Sequence, residues 1–202
     1  VTSITDEGYL TFANVGGVDE RTLPSTEVTV HGKEDLWGVI GIKPNYLLEQ
    51  GKTAKLKELA VDTGLSAEKV KEIVAVGDSI TLAQSVGRLG KKQFSGKSLD
   101  DRASVAAIMR VMQNIKDLDI DIDVYAVAAV QEEVGCRGGK TTAYGINPDM
   151  AVAIDVCHGI TPDNSDNAFE VGTGTVLSVG PNLHPKLTDE LFAVSKRHGI
   201  KV

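Results

Sequence analysis

Two adjacent carboxylates, Glu132 and Glu133, directly follow the apolar run of residues 124–130. The run is expected to form a buried strand, which would place both side chains at the end of that strand. Ionising a carboxylate in apolar surroundings costs free energy, and a neighbouring carboxylate raises that cost unless cations offset the charge. The pair therefore indicates a metal site. The alternative is a solvent-facing loop between a strand and a helix, since acidic residues are mostly exposed.

Helix and strand patterns alternate through the second half of the chain, which is typical of an α/β fold. A strand, a short helix and a second strand imply a parallel pair joined by a right-handed crossover. In such sheets the ligand site lies beyond the carboxyl ends of the strands. The predicted elements are a helix with an apolar core face over residues 101–118, a strand over 123–130, a short helix over 138–144 stopped by Gly145, a strand over 150–156, and a closing helix capped by Thr188 and ended by Gly199.

The first half of the chain, up to about residue 95, carries short alternating runs separated by turn residues, the spacing of a small barrel or sandwich. Two helical pieces interrupt it, one near residues 53–60 and one after the N-cap candidate Ser66. The polar, glycine-bearing segment 87–97 marks a domain boundary. We therefore predict a β-rich domain over residues 1–90 and part of an α/β catalytic domain over 91–202. The predicted strands cover residues 1–4, 9–13, 27–31, 37–43, 74–77 and 80–83.

Composition and charge exclude several classes of protein. The 202 residues are 42% apolar and 24% charged, and no stretch approaches a membrane span or a signal peptide. A net charge of −7 argues against nucleic-acid and anionic-membrane partners. The two cysteines, Cys136 and Cys157, cannot build a disulfide framework and are expected to be reduced thiols in a cytosolic protein.

Three acidic positions are expected to converge at one edge of the predicted sheet. Asp100 and Asp101 precede the long helix, the Glu132-Glu133 pair follows the first apolar strand, and Asp155 ends the second. Divalent cations need several carboxylates around them, so the convergence strengthens the prediction of a metal site. An alternative role for Asp100 or Asp101 is to cap the helix and interact favourably with its dipole.

Three sequence motifs are similar to those of a known family and occur in the same order as in that family. They are SLDDRA at residues 98–103, VQEEVGCRG at 130–138 and AIDV at 153–156. Together they resemble the tetrahedral, or glutamyl, aminopeptidases, which include deblocking aminopeptidases and proteins labelled cellulase M. The resemblance runs along the whole chain. It implies a mostly parallel-sheet metallopeptidase catalytic domain, into which a β-rich small barrel is inserted as a dimerisation and assembly domain.

The resemblance also implies a mechanism and roles for individual residues. The family members are dinuclear metallo-aminopeptidases that release N-terminal residues from short peptides, using a water that bridges two zinc or cobalt ions. Asp100 would bridge both metals, joined to Asp101 by a cis peptide bond, while Glu133 and Asp155 would each bind one metal. Glu132 would be the general base, and Asp101 would orient nearby groups. The intact protein would form a dimer and then a homo-oligomer of twelve subunits.

The histidines depart from the family pattern. The family takes one His ligand from a His-x-Asp-Glu motif and another from near its C-terminus, and this sequence contains neither motif. The chain therefore resembles an internal fragment, which we expect to bind metal weakly and to be inactive alone. Among the histidines present, His184 is a candidate for contact with the substrate, His158 for a loop position, His31 for the β-rich domain and His198 for a helix C-terminus.

Two other classes of function stay open. An endoglucanase-type glycoside hydrolase is suggested by the paired carboxylates and by the cellulase label of some family members. Glycosidase carboxylates flank the sugar from separate positions, however, and 4% aromatic residues with one Trp offer little surface for sugar stacking. The third possibility is a non-catalytic assembly module, in which strand edges and apolar patches pair subunits.

Overall fold

The computed structural model describes residues 1–42, 54–164 and 166–202, and these residues form two compact units. The first unit contains Val1–Leu99 and Ile108–Ala151, and the second contains Asp100–Ala107 and Val152–Val202. The division of the chain at residues 90 and 91 stays a prediction. Within the part of the chain described, no helix has both the length and the apolar composition that a membrane span requires.

The first unit contains a six-stranded sheet in the order β1-β2-β5-β4-β3-β6, in which neighbouring strands are antiparallel. Along β3, Val28 and Val30 are buried while Glu27 is exposed, because successive side chains of a strand point to opposite faces. Five predicted strands are confirmed to within two residues, although Lys43 lies outside the described residues. The six strands of the sheet are β1 Ser3–Ile4, β2 Leu10–Thr11, β3 Glu27–His31, β4 Asp35–Ile42, β5 Leu59–Asp62 and β6 Ser79–Leu82, of which β5 was not predicted.

One face of this sheet and helix α1, Ala67–Ile73, enclose the buried core. Ser66 is the N-cap of α1, as predicted, and Val70 is fully buried. Val74 is buried too, and the partly buried Ile73 packs against the core, which confirms the predicted apolar face. The core residues therefore recur at every second position along the strands and at helical spacing along α1.

Two predicted elements of the N-terminal half of the chain were wrong. In place of a helix over 53–60, a short 3-10 helix, Leu56–Glu58, leads into β5, and Thr53 lies outside the described residues. The strand prevails because Leu59 and Val61 alternate into the core while β5 pairs with β4. The predicted strand at 74–77 is a turn, in which the Ala75 amide donates to Asp78 Oδ2 at 2.8 Å. The side chain of Asp78 competes there with strand pairing.

A hairpin occupies the predicted boundary segment. Strands β7, Gly87–Leu89, and β8, Gln93–Ser95, pair with each other as a separate two-stranded sheet. The guanidinium of Arg88 lies over the ring of Phe94, 5.5 Å from its centroid, a cation–π contact that joins the two strands.

Three longer helices follow: α2 Leu99–Ile115, α3 Arg137–Ile146 and α4 Pro185–His198. Helix α3 continues through Gly145 to Asn147, so the predicted stop at Gly145 was wrong. Helix α4 begins three residues before Thr188, because Pro185 suits the first helical position and His184 precedes it as the N-cap. Its predicted end at Gly199 is confirmed. The apolar stripe of α2 is half-buried at Val105, Ile108, Met112 and Ile115 but exposed at Met109 and Leu118.

The two apolar runs predicted as parallel strands are not strands in this structure. Residues 123–130 and 150–156 have no strand pairing with any described part of the chain, and most of their side chains are exposed. Val130, for example, is 69% exposed. An apolar run forms a buried strand only where neighbours bond its backbone and cover its side chains, and the described residues supply neither. The segment 159–182 contains isolated β-bridges, such as Gly159 with Phe169.

Replacing Leu10 with alanine tests the position of the core, since Leu10 is fully buried where β2 pairs with β1 and β5. We expect the free energy of unfolding to fall by about 2–5 kcal/mol, because the missing methyl groups leave a cavity. Guanidinium denaturation followed by circular dichroism measures the change. The matched variant Leu118→Ala removes an exposed side chain and should change stability by less than about 0.5 kcal/mol. Equal losses would contradict the assignment of the core.

Candidate metal and catalytic site

Three aspartates of the second unit form a candidate metal site. Asp100, Asp101 and Asp155 each offer one carboxylate oxygen, and these oxygens lie within 4.8 Å of one another. Asp101 is half-buried and the other two are exposed. The structure thus brings together residues that are more than fifty positions apart in the sequence.

Asp101 caps the regular part of α2. Its Oδ1 accepts a hydrogen bond of 3.1 Å from the backbone amide of Ser104, three residues further on. Asp100 and Asp101 both have non-helical backbone angles, so the regular helix begins after them. The alternative capping role is therefore confirmed for Asp101. The bond between Asp100 and Asp101 is a cis peptide, as the resemblance implied.

Asp155 comes to the group from the extended segment that precedes it. Its Oδ1 accepts a 2.7 Å hydrogen bond from the amide of Val156, the next residue. This bond restrains the orientation of the carboxylate. Asp101 and Asp155 are thus both held by backbone amides close to them in sequence, which restrains the side chains without a surrounding core.

The donor set of this group fits a divalent cation. Carboxylate oxygens suit hard and borderline cations, and three carboxylates this close repel one another unless a cation offsets their charge. The group contains neither histidine nor cysteine. From the sequence, Asp100 and Asp155 are predicted ligands, whereas Asp101 is predicted only to orient nearby groups. The adjacency of the two aspartates was the signal that Asp101 also offers an oxygen.

Glu132 and Glu133 lie in the first unit, in a single-turn 3-10 helix, Glu132–Val134. The amides of Gly135 and Cys136 donate to the carbonyl of Glu132 at 3.0 and 2.9 Å. Gln131 on one side and Cys136 on the other have left-handed backbone conformations. Glu132 and Glu133 are exposed, and their place in a common site with the three aspartates stays a prediction.

Helix α3 begins against the turn that carries the two glutamates. The amide of Gly138 donates to the carbonyl of Val130 at 2.8 Å, and that of Arg137 donates to Gln131 at 3.3 Å. A Cβ atom on Gly138 would lie only 2.5 Å from the backbone nitrogen and oxygen of Val130. Glycine therefore permits this close approach. This role of Gly138 was not predicted from the sequence, although the Gly138-Gly139 pair is a signal for it.

The thiol of Cys136 contacts the proposed general base. Its Sγ donates a hydrogen bond of 3.2 Å to Oε1 of Glu132. This contact lies within the first unit and joins the start of α3 to the glutamate turn. The contact forms because Cys136 lies four residues after Glu132 and the turn brings both side chains to the same side.

The histidines occupy separate positions. His31 contacts Asp35 Oδ1 through Nδ1 at 2.8 Å and Thr81 Oγ1 through Nε2 at 2.9 Å, so both ring nitrogens are bonded within the sheet. The carbonyl of His158 accepts from the Phe169 amide at 2.9 Å, which agrees with the predicted loop position. His184 is the exposed N-cap of α4, and its contact with substrate stays a prediction.

Comparison with known proteins decides the family. The model of the M42 glutamyl aminopeptidase family matches residues 1–202, the whole chain. The chain belongs to this family. The resemblance seen in the three motifs is thereby confirmed, and so is its extent along the whole chain, including the β-rich first half.

Similar proteins of the M42 type cover the chain from end to end. Lysyl aminopeptidase of Pyrococcus furiosus is 31% identical over 99% of the chain. The structure of aminopeptidase APDkam598 from Desulfurococcus kamchatkensis is 36% identical over the whole chain, with a TM-score of 0.91. The TET1 peptidase of Pyrococcus horikoshii, described as able to assemble into a tetrahedron or a large octahedral shell, is 30% identical with a TM-score of 0.85. The chain spans 60%, 59% and 62% of these three proteins, respectively.

Replacing Gly138 with alanine tests how the glutamate turn is supported. The added methyl group would collide with the backbone of Val130, so the turn and α3 must separate. We expect a loss of about 1–3 kcal/mol, as for other overpacked sites, with faster hydrogen exchange at the amide of residue 138. The control Gly139→Ala adds a methyl group with no atom within 4 Å and should not weaken the turn. Equal exchange in both variants would contradict the proposed support.

Proposed function

We propose that this chain is part of a metal-dependent aminopeptidase that releases N-terminal residues from short peptides. The observation that carries the proposal is the convergence of Asp100, Asp101 and Asp155 in a chain whose full length matches the M42 family. The names of the relatives support peptide hydrolysis, and the donor set supports a role for divalent cations.

In this proposal, Asp100, Asp155 and Glu133 are the residues that would hold two zinc or cobalt ions. The bound cations would act as Lewis acids that polarise the scissile carbonyl and lower the pKa of the attacking water. Asp101 keeps one oxygen on the Ser104 amide and thereby fixes the orientation of the Asp100-Asp101 segment.

Glu132 is the proposed general base. It takes a proton from the water as the water oxygen bonds to the peptide carbonyl carbon, and it returns that proton to the amine as the C–N bond breaks. The thiol of Cys136 donates to Oε1 of Glu132, which restrains the carboxylate. The second carboxylate oxygen of Glu132 then carries the proton.

We further propose that the β-rich residues 1–90 form an assembly domain and that residues 91–202 belong to an α/β catalytic domain. Trp37 supports an interface, because its side chain is 60% exposed on the sheet and tryptophan is enriched at interfaces. A homo-oligomer between a dimer and a dodecamer is the proposed state. A peptide is the proposed substrate, with no nucleic-acid or membrane partner, and cysteines in the reduced state fit a cytosolic location.

Metal binding by the aspartate group can be measured directly. We expect Asp155→Asn to weaken the binding of cobalt or zinc by about tenfold or more, equal to about 1.4 kcal/mol, because the amide loses the charge that offsets the cation. Isothermal titration calorimetry gives the dissociation constants. Asp189→Asn removes an exposed carboxylate of the same unit outside the group and should leave binding unchanged. Equal affinities in both variants and the wild type would exclude Asp155 as a ligand.

Activity of the 202-residue chain is expected to be very low, because the three-aspartate group contains no histidine ligand. The measurement is turnover of leucine and glutamate 4-nitroanilides with added zinc or cobalt. Family-level turnover that disappears in Glu132→Gln would support the aminopeptidase but overturn the expected inactivity. Release of reducing sugar from cellulose, lost in the same variant, would favour the endoglucanase alternative instead.

A further inference from the structure

A loop from the N-terminal part of the chain lies against the glutamate turn. The Cα of Gly16 approaches Glu133 so closely that a Cβ atom there would lie 3.4 Å from the carbonyl oxygen and 3.5 Å from the Cβ of Glu133. Both residues belong to the first unit. An added methyl group would touch Glu133 at ordinary van der Waals distance, which leaves no gap between residue 16 and Glu133 on that side.

The conformation of this loop depends on residues 14 and 16. Gly16 has a φ of +78°, a backbone conformation that residues with a side chain rarely adopt. The side-chain amide of Asn14 donates to the Gly16 carbonyl at 3.1 Å and so closes the loop on itself. Next to it, a Cβ atom on Gly17 would meet no atom within 4 Å. The approach to Glu133 is therefore specific to one of two adjacent glycines.

Two glycines thus flank the short 3-10 helix that carries both glutamates. The amide of Gly138 donates to the carbonyl of Val130, just before this helix, and Gly16 contacts Glu133 within it. A single 3-10 turn with exposed side chains has little rigidity of its own, because it contains few hydrogen bonds. Contacts from outside the turn must therefore limit its movement.

We propose that Gly16 is a positioning residue, which sets the position of the Glu132–Glu133 turn through its contact with Glu133. Its catalytic meaning rests on the function proposed above, in which Glu133 binds a metal and Glu132 moves a proton. The contact itself does not depend on that function. A bulky side chain at residue 16 displaces the turn, whereas the same side chain at residue 17 does not.

The test compares Gly16→Val with its matched control Gly17→Val, and Gly16→Ala separates contact from backbone strain. All variants carry Cys157→Ser, so that Cys136 is the only thiol. Cys136 reports on the turn because its Sγ donates to Glu132 Oε1, and the thiolate is the reactive form. The rate of reaction with Ellman's reagent and the affinity for cobalt are both measured. Denaturation curves check that the variants are folded.

Gly16→Val is expected to change the thiol reaction rate by roughly 2–10-fold, the effect of losing one hydrogen bond, and to weaken cobalt binding. Gly17→Val should match the wild type, and Gly16→Ala should lie between. Equal rates in the two valine variants, or equal effects of alanine and valine at residue 16, would overturn the proposal. If the wild type binds no cobalt, the proposed metal function fails, while the thiol rates still decide whether Gly16 sets the turn.

Discussion

Burial of one face of the antiparallel sheet is the constraint on which the rest of the structure depends. Among the described residues, the largest fully buried side chains are Leu10, Val28, Val30, Val61 and Val70, which all lie in the sheet or in α1. Buried side chains alternate along the strands, and Val70 and Val74 are at helical spacing, so the sheet and the helix can bury them together. The residues that carry the acidic groups have no comparable cover among the described residues. Stability and proposed chemistry are therefore concentrated in different parts of the chain.

The acidic groups are consequently held by local backbone devices. Asp101 caps α2, Asp155 accepts from the next amide, and the glutamate turn closes on its own carbonyl. Such bonds orient a side chain at little cost because the residues involved are neighbours in sequence. Gly138 adds a close approach to Val130 that a side chain would block, and Gly16 adds a contact with Glu133. A site built in this way can keep carboxylates accessible to cations while restricting their movement.

Several elements could be predicted because their signals are local. The strand over residues 27–31 and the helix after Ser66 were found where expected, since alternation and capping depend on adjacent residues. The runs at 123–130 and 150–156 were predicted as strands from their apolar composition alone. Strand formation also needs hydrogen-bonding neighbours, which composition does not specify. The helix expected over residues 53–60 shows the opposite case. Pairing of β5 with β4 outweighed the local helical propensity there.

The sequence by itself determined the family, through the order of its acidic motifs, and the local backbone features, through its capping and turn residues. It also indicated the cis bond between Asp100 and Asp101, by resemblance. The convergence of Asp155 with these two aspartates was also predicted from the sequence. Only the tertiary structure decided that Gly16 reaches Glu133. Residues far apart in the sequence meet only through the path of the chain between them. That path depends on packing across the whole unit rather than on any single motif.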